Sequence, residues 1–160
     1  MYPTKSDLPE ATRRQMIELC NARLADAIDL QTQTKQAHWN VKGPHFIALH
    51  ELFDKVNADV EDYVDLIAER AVQLGGNVDG TARSVAKRST LPEYPVKGGS
   101  GREHVDALSS VLAAFGKLAR AAIEASDRAN DADTNDIFVE ISRGVDKWLW
   151  MVEAHLQSDG

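Results

Sequence analysis

Residues 45–76 read HFIALHELFDKVNADVEDYVDLIAERAVQLGG and carry the clearest pattern in this chain of 160 residues. The segment follows a Gly43–Pro44 break and ends at Gly75–Gly76, and both features are typical of helix boundaries. Between them, apolar residues recur every three or four positions, as they do on the buried face of an α-helix. These residues are Leu49, Leu52, Phe53, Val56, Val60, Val64, Ile67 and Ala71. The pattern predicts one long amphipathic helix that begins at about residue 45.

Two pairs of metal-capable side chains lie on this predicted helix, His50 with Asp54 and Asp65 with Glu69. The four-residue spacing places both members of a pair on one helix face, and all four positions fall within a stripe roughly 100° wide. At about 1.5 Å of rise per residue, Asp54 and Asp65 lie roughly 16 Å apart, so the two pairs cannot bind one ion within a chain. The pairs are symmetric about the point that follows Asp59. A two-fold axis crossing there would bring each pair opposite its counterpart on a second copy.

The side chains of the two pairs mix imidazole nitrogen with carboxylate oxygen, which suits Fe(II), Mn(II) or Zn(II). Three carboxylates in one site would also favour Fe(III) over Fe(II) by charge, so iron is the preferred interpretation. A solvated helix face explains the spacing alone about equally well. A di-iron site inside one bundle needs Glu-x-x-His motifs, and no glutamate of the chain is followed three residues later by histidine. We therefore expect any iron between copies of the chain.

Three further long helices are predicted around the first one. One runs from about Pro9 to Ala37, with Asp7 as its cap. Another begins at a capping box formed by Ser100 and Glu103 and ends near Ser126. An acidic link over residues 127–135 leads to the last helix, which carries apolar residues at helical intervals as far as residue 156.

The stretch from Gly75 to Gly101 is too long for a tight hairpin and contains Pro92, Pro95 and a glycine cluster at 98–99. Within it, only residues 81–87 fit a short helix. A connection of this length is typical of a crossover that runs along a bundle. The predicted fold class is therefore all-α, a ferritin-like four-helix bundle with a long crossover containing a short helix between the second and third long helices.

The composition fits one domain over residues 1–160, with short tails at about 1–7 and 158–160. Residues 1–7 lack the features of a signal peptide, and no apolar run is long enough to span a membrane, so we expect a cytoplasmic protein. The single cysteine, Cys20, fits a reducing compartment and a buried core position. A formal charge of −7 argues against nonspecific attraction to nucleic acid and favours cations as partners.

Residues 34–54, TKQAHWNVKGPHFIALHELFD, together with residues 68–76, AERAVQLGG, closely resemble the Dps family of mini-ferritins. The resemblance includes the KQAHWNV-x-G segment, the two pairs and the AER segment in the family's order and spacing. The helix layout agrees from about Asp7 to Gln157. The resemblance implies a ferroxidase centre, which oxidises Fe(II) to Fe(III), between subunits related by a two-fold axis.

By this resemblance, one subunit supplies His38, His50 and Asp54, and its neighbour supplies Asp65 and Glu69. His38 with the neighbour's two carboxylates would hold the tighter of two irons. His50 with Asp54 would help to place the second iron or a bridging water. Members of the family couple the oxidation of two Fe(II) to the reduction of hydrogen peroxide, use dioxygen more slowly, and store Fe(III) mineral in a hollow shell of twelve subunits.

The resemblance extends to residues beside the centre. Trp39 matches a tryptophan that could intercept stray oxidising equivalents, and packing at the dimer contact is its alternative role. The family also has three-fold pores lined by aspartates, for which Asp136 and Asp131 match and Asp127 is a weaker candidate. Capping of the last helix is the alternative role for these acidic residues.

The leading hypothesis is a ferroxidase and iron-storage subunit that protects the cell and its DNA from peroxide. The alternative is a protein that compacts DNA and protects it physically, as family members with lysine-rich tails do. Here the first twelve residues carry only Lys5, and twelve copies at −7 each total −84, which should repel DNA. Tight DNA binding at low salt without added divalent metal would favour the alternative. A third hypothesis is a helical oligomer whose metal site is vestigial.

Overall fold

The computed structural model describes residues 1–95 and 99–157, which form five α-helices and, within these ranges, no strand. The helices are α1 (Glu10–Asn40), α2 (Phe46–Gln73), α3 (Ala82–Arg88), α4 (Gly101–Arg128) and α5 (Ala132–Glu153). The prediction of an all-α four-helix bundle with a short helix in the crossover is confirmed. The predicted tail at 158–160 and Gly98 of the predicted crossover lie outside the described residues.

The four long helices enclose one continuous apolar core. α1 packs mainly against α2, α4 packs mainly against α5, and α3 lies against α1. The phenylalanines Phe53, Phe115 and Phe138 come from three different helices and are fully buried, each contributing about 1.5–3 kcal/mol to folding. Cys20 is buried among them, as expected for a small core residue. No helix of residues 1–95 or 99–157 is long and apolar enough to cross a membrane.

The start of α1 differs from the prediction. Pro9 is the N-cap residue, and no side chain caps the helix, so the prediction of Asp7 as the cap was wrong. Asp7 lies two residues before Pro9, outside the cap position from which a side chain reaches the second or third helical amide. At the other end α1 continues beyond Ala37 to Asn40, which places His38 on the helix.

The capping box at the start of α4 is confirmed. The backbone N–H of Ser100 donates to Glu103 Oε2 at 2.7 Å, and the backbone N–H of Glu103 donates to Ser100 Oγ at 3.4 Å. These two bonds satisfy amides that the first helical turn leaves free. They end the crossover at a defined residue.

The link between α4 and α5 is much shorter than predicted, because α4 continues to Arg128 and α5 begins at Ala132. Asn130 makes the tight turn with a φ of 55°, in the left-handed region that asparagine tolerates better than most residues. Asp131 follows as the N-cap of α5 and accepts a hydrogen bond from the Thr134 backbone N–H. Polar composition had indicated a long loop here, but these local hydrogen bonds allow both helices to extend.

Candidate metal centre

His38 and His50 join the end of α1 to the start of α2 through a reciprocal contact. His38 Nδ1 lies 2.8 Å from the His50 carbonyl oxygen, and His50 Nδ1 lies 2.9 Å from the His38 carbonyl oxygen. The two rings stack with their centroids 3.7 Å apart and an interplanar angle of 22°. Because a carbonyl oxygen can only accept, each Nδ1 carries a proton and donates it. In a neutral imidazole this arrangement leaves the lone pair on Nε2, which is the form that a metal-binding histidine requires.

Asp54 lies beside this histidine pair. Its Oδ1 is 3.8 Å from His38 Nδ1, and the same oxygen accepts a hydrogen bond from the ammonium group of Lys35. This hydrogen bond from Lys35 holds the pKa of Asp54 below its ordinary value, so the carboxylate is ionised at neutral pH. The side chain is about half exposed and therefore accessible to an incoming cation. Three of the five predicted ligands, His38, His50 and Asp54, thus lie close together where α1 meets α2.

The other two predicted ligands lie elsewhere on the same chain. Asp65 and Glu69 are exposed on the second half of α2, and the unbroken helix places Asp65 about 16 Å beyond Asp54. No group of three or more His, Cys, Asp or Glu side chains within residues 1–95 and 99–157 is arranged to hold a metal ion in one chain. The structure therefore brings three of the five predicted ligands together and leaves two apart.

Exposed apolar residues follow the same symmetry as the two pairs. Ile47 is 60% exposed and Val72 is 53% exposed, although both are large apolar residues. They are equidistant from the midpoint that follows Asp59, and each lies three residues beyond a member of the metal-capable pairs. A two-fold axis at this midpoint would place Ile47 of one copy opposite Val72 of the other. The positions of Ile47 and Val72 in the helical register already carry this signal in the sequence.

Two surface depressions border the candidate site. A groove of about 400 Å³ next to Glu69 is lined by Ala68, Val72, Gln73 and Val78. A larger groove of about 1290 Å³ runs along α1 and α3, and its lining includes Lys35, Trp39 and Glu61. Trp39 is exposed at the edge of this groove rather than packed in the core of its own chain. Exposed apolar surface of this kind marks an interaction site.

The structure gives Asp131 a role inside the subunit. Its side chain is only 1% exposed and accepts hydrogen bonds from Arg70 Nη2 at 2.7 Å and from Thr134 Oγ1 at 2.6 Å. A carboxylate enclosed in this way does not face a solvent passage, so the prediction that Asp131 lines a pore conflicts with its position. Asp127 and Asp136, the other two candidates, are exposed.

Arg70 is the residue of this network that sequence analysis did not single out. It is buried on α2 directly after Glu69, and its Nε donates to Thr134 Oγ1 at 2.9 Å. Its position three residues after the core residue Ile67 was a readable signal that it faces inward. The network ties the second half of α2 to the start of α5, and so supports the backbone that carries Glu69.

Comparisons with known proteins agree with this fold. The model of the ferritin-like domain matches residues 17–159. The chain is 44% identical to the DNA protection during starvation protein of Agrobacterium fabrum over 156 residues, which cover 98% of this chain and 96% of that protein. The protein of the same name from Mycolicibacterium smegmatis is 32% identical and covers 96% of this chain and 83% of its own length.

Solved structures give the same result. The tetragonal form of Mycobacterium smegmatis Dps superposes with a TM-score of 0.93 at 31% identity, covering 99% of this chain and 96% of that one. Dps from Microbacterium arborescens in the high iron form superposes with a TM-score of 0.87 at 33% identity, covering 97% of this chain and 99% of that one. A family model matching most of the chain and relatives matching nearly its whole length together show that this chain belongs to the Dps family of ferritin-like proteins.

Proposed function

We propose that the chain is a ferroxidase and iron-storage subunit that assembles into two-fold dimers and then into a hollow shell of twelve. Its substrates would be Fe(II) and hydrogen peroxide, with dioxygen as a slower oxidant. The observation that carries the proposal is the arrangement of His38 and His50. Their reciprocal hydrogen bonds fix both rings through Nδ1, and the Asp54 carboxylate lies 3.8 Å from His38 Nδ1, so three candidate ligand side chains are clustered.

A second copy would complete the donor set. With a two-fold axis at the midpoint of α2, Asp65 and Glu69 of the partner subunit would face His38, His50 and Asp54. The exposed residues Ile47 and Val72 would meet across the same contact, which removes apolar surface from water. Dps from Microbacterium arborescens, which is similar in structure, has been solved in a high iron form, and this supports iron as the metal.

The proposed chemistry uses two Fe(II) ions per site as electron donors. Each ion loses one electron, hydrogen peroxide accepts both, and its O–O bond breaks to give two water molecules after uptake of two protons. The neutral imidazoles bind without adding charge, whereas the three carboxylates favour the more highly charged Fe(III) product. Consuming peroxide in a two-electron step avoids the release of hydroxyl radical, and this would protect DNA and the cell from oxidative damage.

The acidic surface supports a route for iron into the shell. Asp127 and Asp136 are exposed near the α4–α5 turn, and we propose that they line the three-fold pore. Negative charge concentrated in a narrow passage raises the local concentration of Fe(II). Asp131 is left out of this proposal because Arg70 and Thr134 already bind its carboxylate.

Trp39 extends the proposal to radical control. Its indole follows His38 in sequence and is exposed in the single chain. In the proposed dimer it would lie beside the centre, where an oxidisable ring can intercept stray oxidising equivalents. It would also contribute apolar contact area to the dimer.

The substitution Glu69→Gln combined with Asp65→Asn tests the function. We expect loss of fast peroxide-dependent Fe(II) oxidation in stopped-flow absorbance, because neutral amides are poor iron ligands. Sedimentation should still show the assembled oligomer, since both residues are exposed in the chain.

The matched control is Asp106→Asn combined with Glu124→Gln, which removes the same charge from exposed positions on α4. The control should oxidise Fe(II) at the wild-type rate. If the variant that combines Glu69→Gln with Asp65→Asn also oxidises Fe(II) at the wild-type rate, the proposed centre is refuted. Disassembly of the oligomer in this variant would instead assign Asp65 and Glu69 a structural role.

A further inference from the structure

The start of α4 carries a buried histidine that the proposed centre does not use. His104 is fully buried, and its Nδ1 lies 2.7 Å from the Tyr94 hydroxyl oxygen. The two rings stack with their centroids 6.1 Å apart, and Tyr94 belongs to the crossover, so the contact joins the crossover to α4. Within residues 1–95 and 99–157, His104 Nε2 is the one buried side-chain polar atom without a hydrogen-bond partner. A buried polar group of this kind requires an explanation.

Burial fixes the protonation state of this histidine. It lowers the pKa of His104, Lys42 lowers it further, and the charge of Glu103 and the backbone of Asn40 offset these effects only in part, so the ring is neutral at neutral pH. Burial also raises the pKa of Tyr94, so its hydroxyl keeps its proton and donates it to Nδ1. The ring proton is then on Nε2. Because Tyr94 already occupies Nδ1, Nε2 is the atom that faces the Asn40 carbonyl at the end of α1.

The same end of α4 packs on the turn between α1 and α2. The Gly101 backbone N–H donates to the Lys42 carbonyl oxygen at 3.0 Å. A Cβ on Gly101 would lie 2.7 Å from Leu49 Cδ1, so the missing side chain lets Leu49 pack directly on the helix backbone. Leu49 directly precedes His50 in α2. The start of α4 therefore contacts both the end of α1 and the start of α2.

We propose that His104 is a positioning residue for the proposed metal centre, because it holds the last turn of α1 against α4 and so keeps the imidazoles of His38 and His50 in their reciprocal contact. His104 acts through the backbone of Asn40, two residues after His38. The inference rests on the proposed function for the metal that the two imidazoles would bind. Their geometry, by contrast, is a property of the chain itself and can be measured without metal.

The reciprocal contact is sensitive to small displacements. Its two hydrogen bonds measure 2.8 and 2.9 Å, and a hydrogen bond is lost once donor and acceptor separate beyond about 3.5 Å. A relative shift of about 1 Å between the end of α1 and the start of α2 would therefore break both. The turn itself offers little restraint, because Gly43 has a φ of 111° and no atom lies within 4 Å of the place where its Cβ would be. Contacts from α4 supply the restraint that the turn lacks.

The test is His104→Phe, which keeps a buried ring and removes both ring nitrogens. The crystal structure of the assembled variant should show at least one of the two hydrogen bonds between His38 and His50 broken. Co(II) alone serves as the metal probe, because its visible absorption bands depend on the ligands around it. The variant should bind Co(II) about tenfold more weakly than the wild type and with altered bands, since losing a group that orients a metal-binding histidine costs about 10–100-fold in affinity. Neither readout depends on oxidation activity.

Two variants of the crossover that each remove one hydroxyl form a matched pair. Tyr94→Phe removes the hydroxyl that donates to His104, and it should weaken Co(II) binding in the same direction by a smaller factor. Thr90→Val removes the hydroxyl that donates to Asp26 at 3.0 Å, roughly 18 Å before His38 along α1. This control should keep the wild-type Co(II) affinity and absorption bands. Both variants loosen the same crossover, so a difference between them isolates the role of His104.

The outcomes distinguish this inference from the proposed function. If His104→Phe keeps both hydrogen bonds between His38 and His50 and binds Co(II) as the wild type does, the positioning role is wrong and the centre stands. If Thr90→Val weakens Co(II) binding as much as Tyr94→Phe does, general loosening of the crossover is the cause and the positioning role is again wrong.

Two further outcomes are decided by a second measurement. If His104→Phe does not assemble, Tyr94→Phe replaces it, and wild-type Co(II) binding by Tyr94→Phe overturns the inference. A wild-type oligomer that binds no Co(II) at His38 or His50 would refute the proposed centre. The crystal structure of His104→Phe would then still show whether His104 positions the two imidazoles.

Discussion

Replacing Arg70 with methionine should destabilise the subunit far more than the same replacement at Arg120. Both arginines form an ion pair with an aspartate, at 2.7 Å for Arg70 with Asp131 and at 2.9 Å for Arg120 with Asp146. The side chains of the first pair are 8% and 1% exposed, whereas those of the second are 50% and 55% exposed. The two substitutions therefore differ in burial, and Arg70→Met also removes the hydrogen bond from Arg70 Nε to Thr134 Oγ1.

The expected magnitudes follow from this difference. Among the described residues, Arg70→Met leaves the buried Asp131 carboxylate with only Thr134 as a partner, and removing one member of a buried pair costs about 3–5 kcal/mol. Arg120→Met breaks a pair in contact with water, which contributes about 0–1 kcal/mol. The free energy of unfolding of a typical domain is only about 5–15 kcal/mol. The loss expected for Arg70→Met is therefore a large fraction of the total stability, whereas the loss expected for Arg120→Met is a small one.

Guanidinium denaturation followed by far-UV circular dichroism measures the difference, with all variants at one protein concentration because assembly contributes to apparent stability. Adding Asp131→Asn to Arg70→Met should recover part of the loss, because a neutral amide needs no counterion and can still accept the Thr134 N–H. Equal destabilisation by Arg70→Met and Arg120→Met would refute the reasoning. So would a double variant no more stable than Arg70→Met, since the unpaired charge would then not be the cause.

Two further predictions concern the dimer and the single thiol. Ile47→Cys combined with Val72→Cys should give covalent dimers on mild oxidation, which non-reducing gels detect, while each single variant should stay uncrosslinked. Absence of crosslinking in the double variant would contradict the two-fold axis on α2. Burial raises the pKa of the Cys20 thiol to about 12, so the native protein at pH 8 should not react with Ellman's reagent, whereas one thiol per chain should react in guanidinium. Fast reaction of native Cys20 would show that the core opens readily.

Most of the fold was predictable because it depends on local repetition. Apolar residues at helical spacing indicated every long helix, and the Ser100 capping box marked the start of α4 correctly. The two errors concern the link between α4 and α5 and the cap of α1, where composition indicated one structure and local backbone geometry gave another. The link between α4 and α5 looked like a loop because it is acidic, yet Asn130 turns the chain within three residues. Asp7 looked like a cap, yet Pro9 occupies that position.

The candidate site was likewise predictable where it depends on one helix and unpredictable where it depends on contacts between helices. The spacing of His50, Asp54, Asp65 and Glu69 required no structure, because helix geometry alone places them on one face and separates the two pairs. The resemblance to Dps added His38 and Trp39. The direction of the imidazoles was not predictable, since it depends on backbone carbonyls twelve residues away in sequence. The attachment of Lys35 to Asp54 likewise joins two different helices.

The sequence by itself determined the helices, their order and the mirrored positions of the four candidate ligands on α2, because these properties depend on rise, rotation and the burial of apolar residues along one segment. Tertiary structure alone decided which polar groups meet between segments. It enclosed Asp131 with Arg70 and Thr134 instead of leaving it at the surface, and it turned His38 and His50 so that each Nδ1 faces the backbone carbonyl of the other. The physical reason is that a buried charge or N–H group requires a partner, and the partner here lies on another helix whose position is set by packing of the whole core.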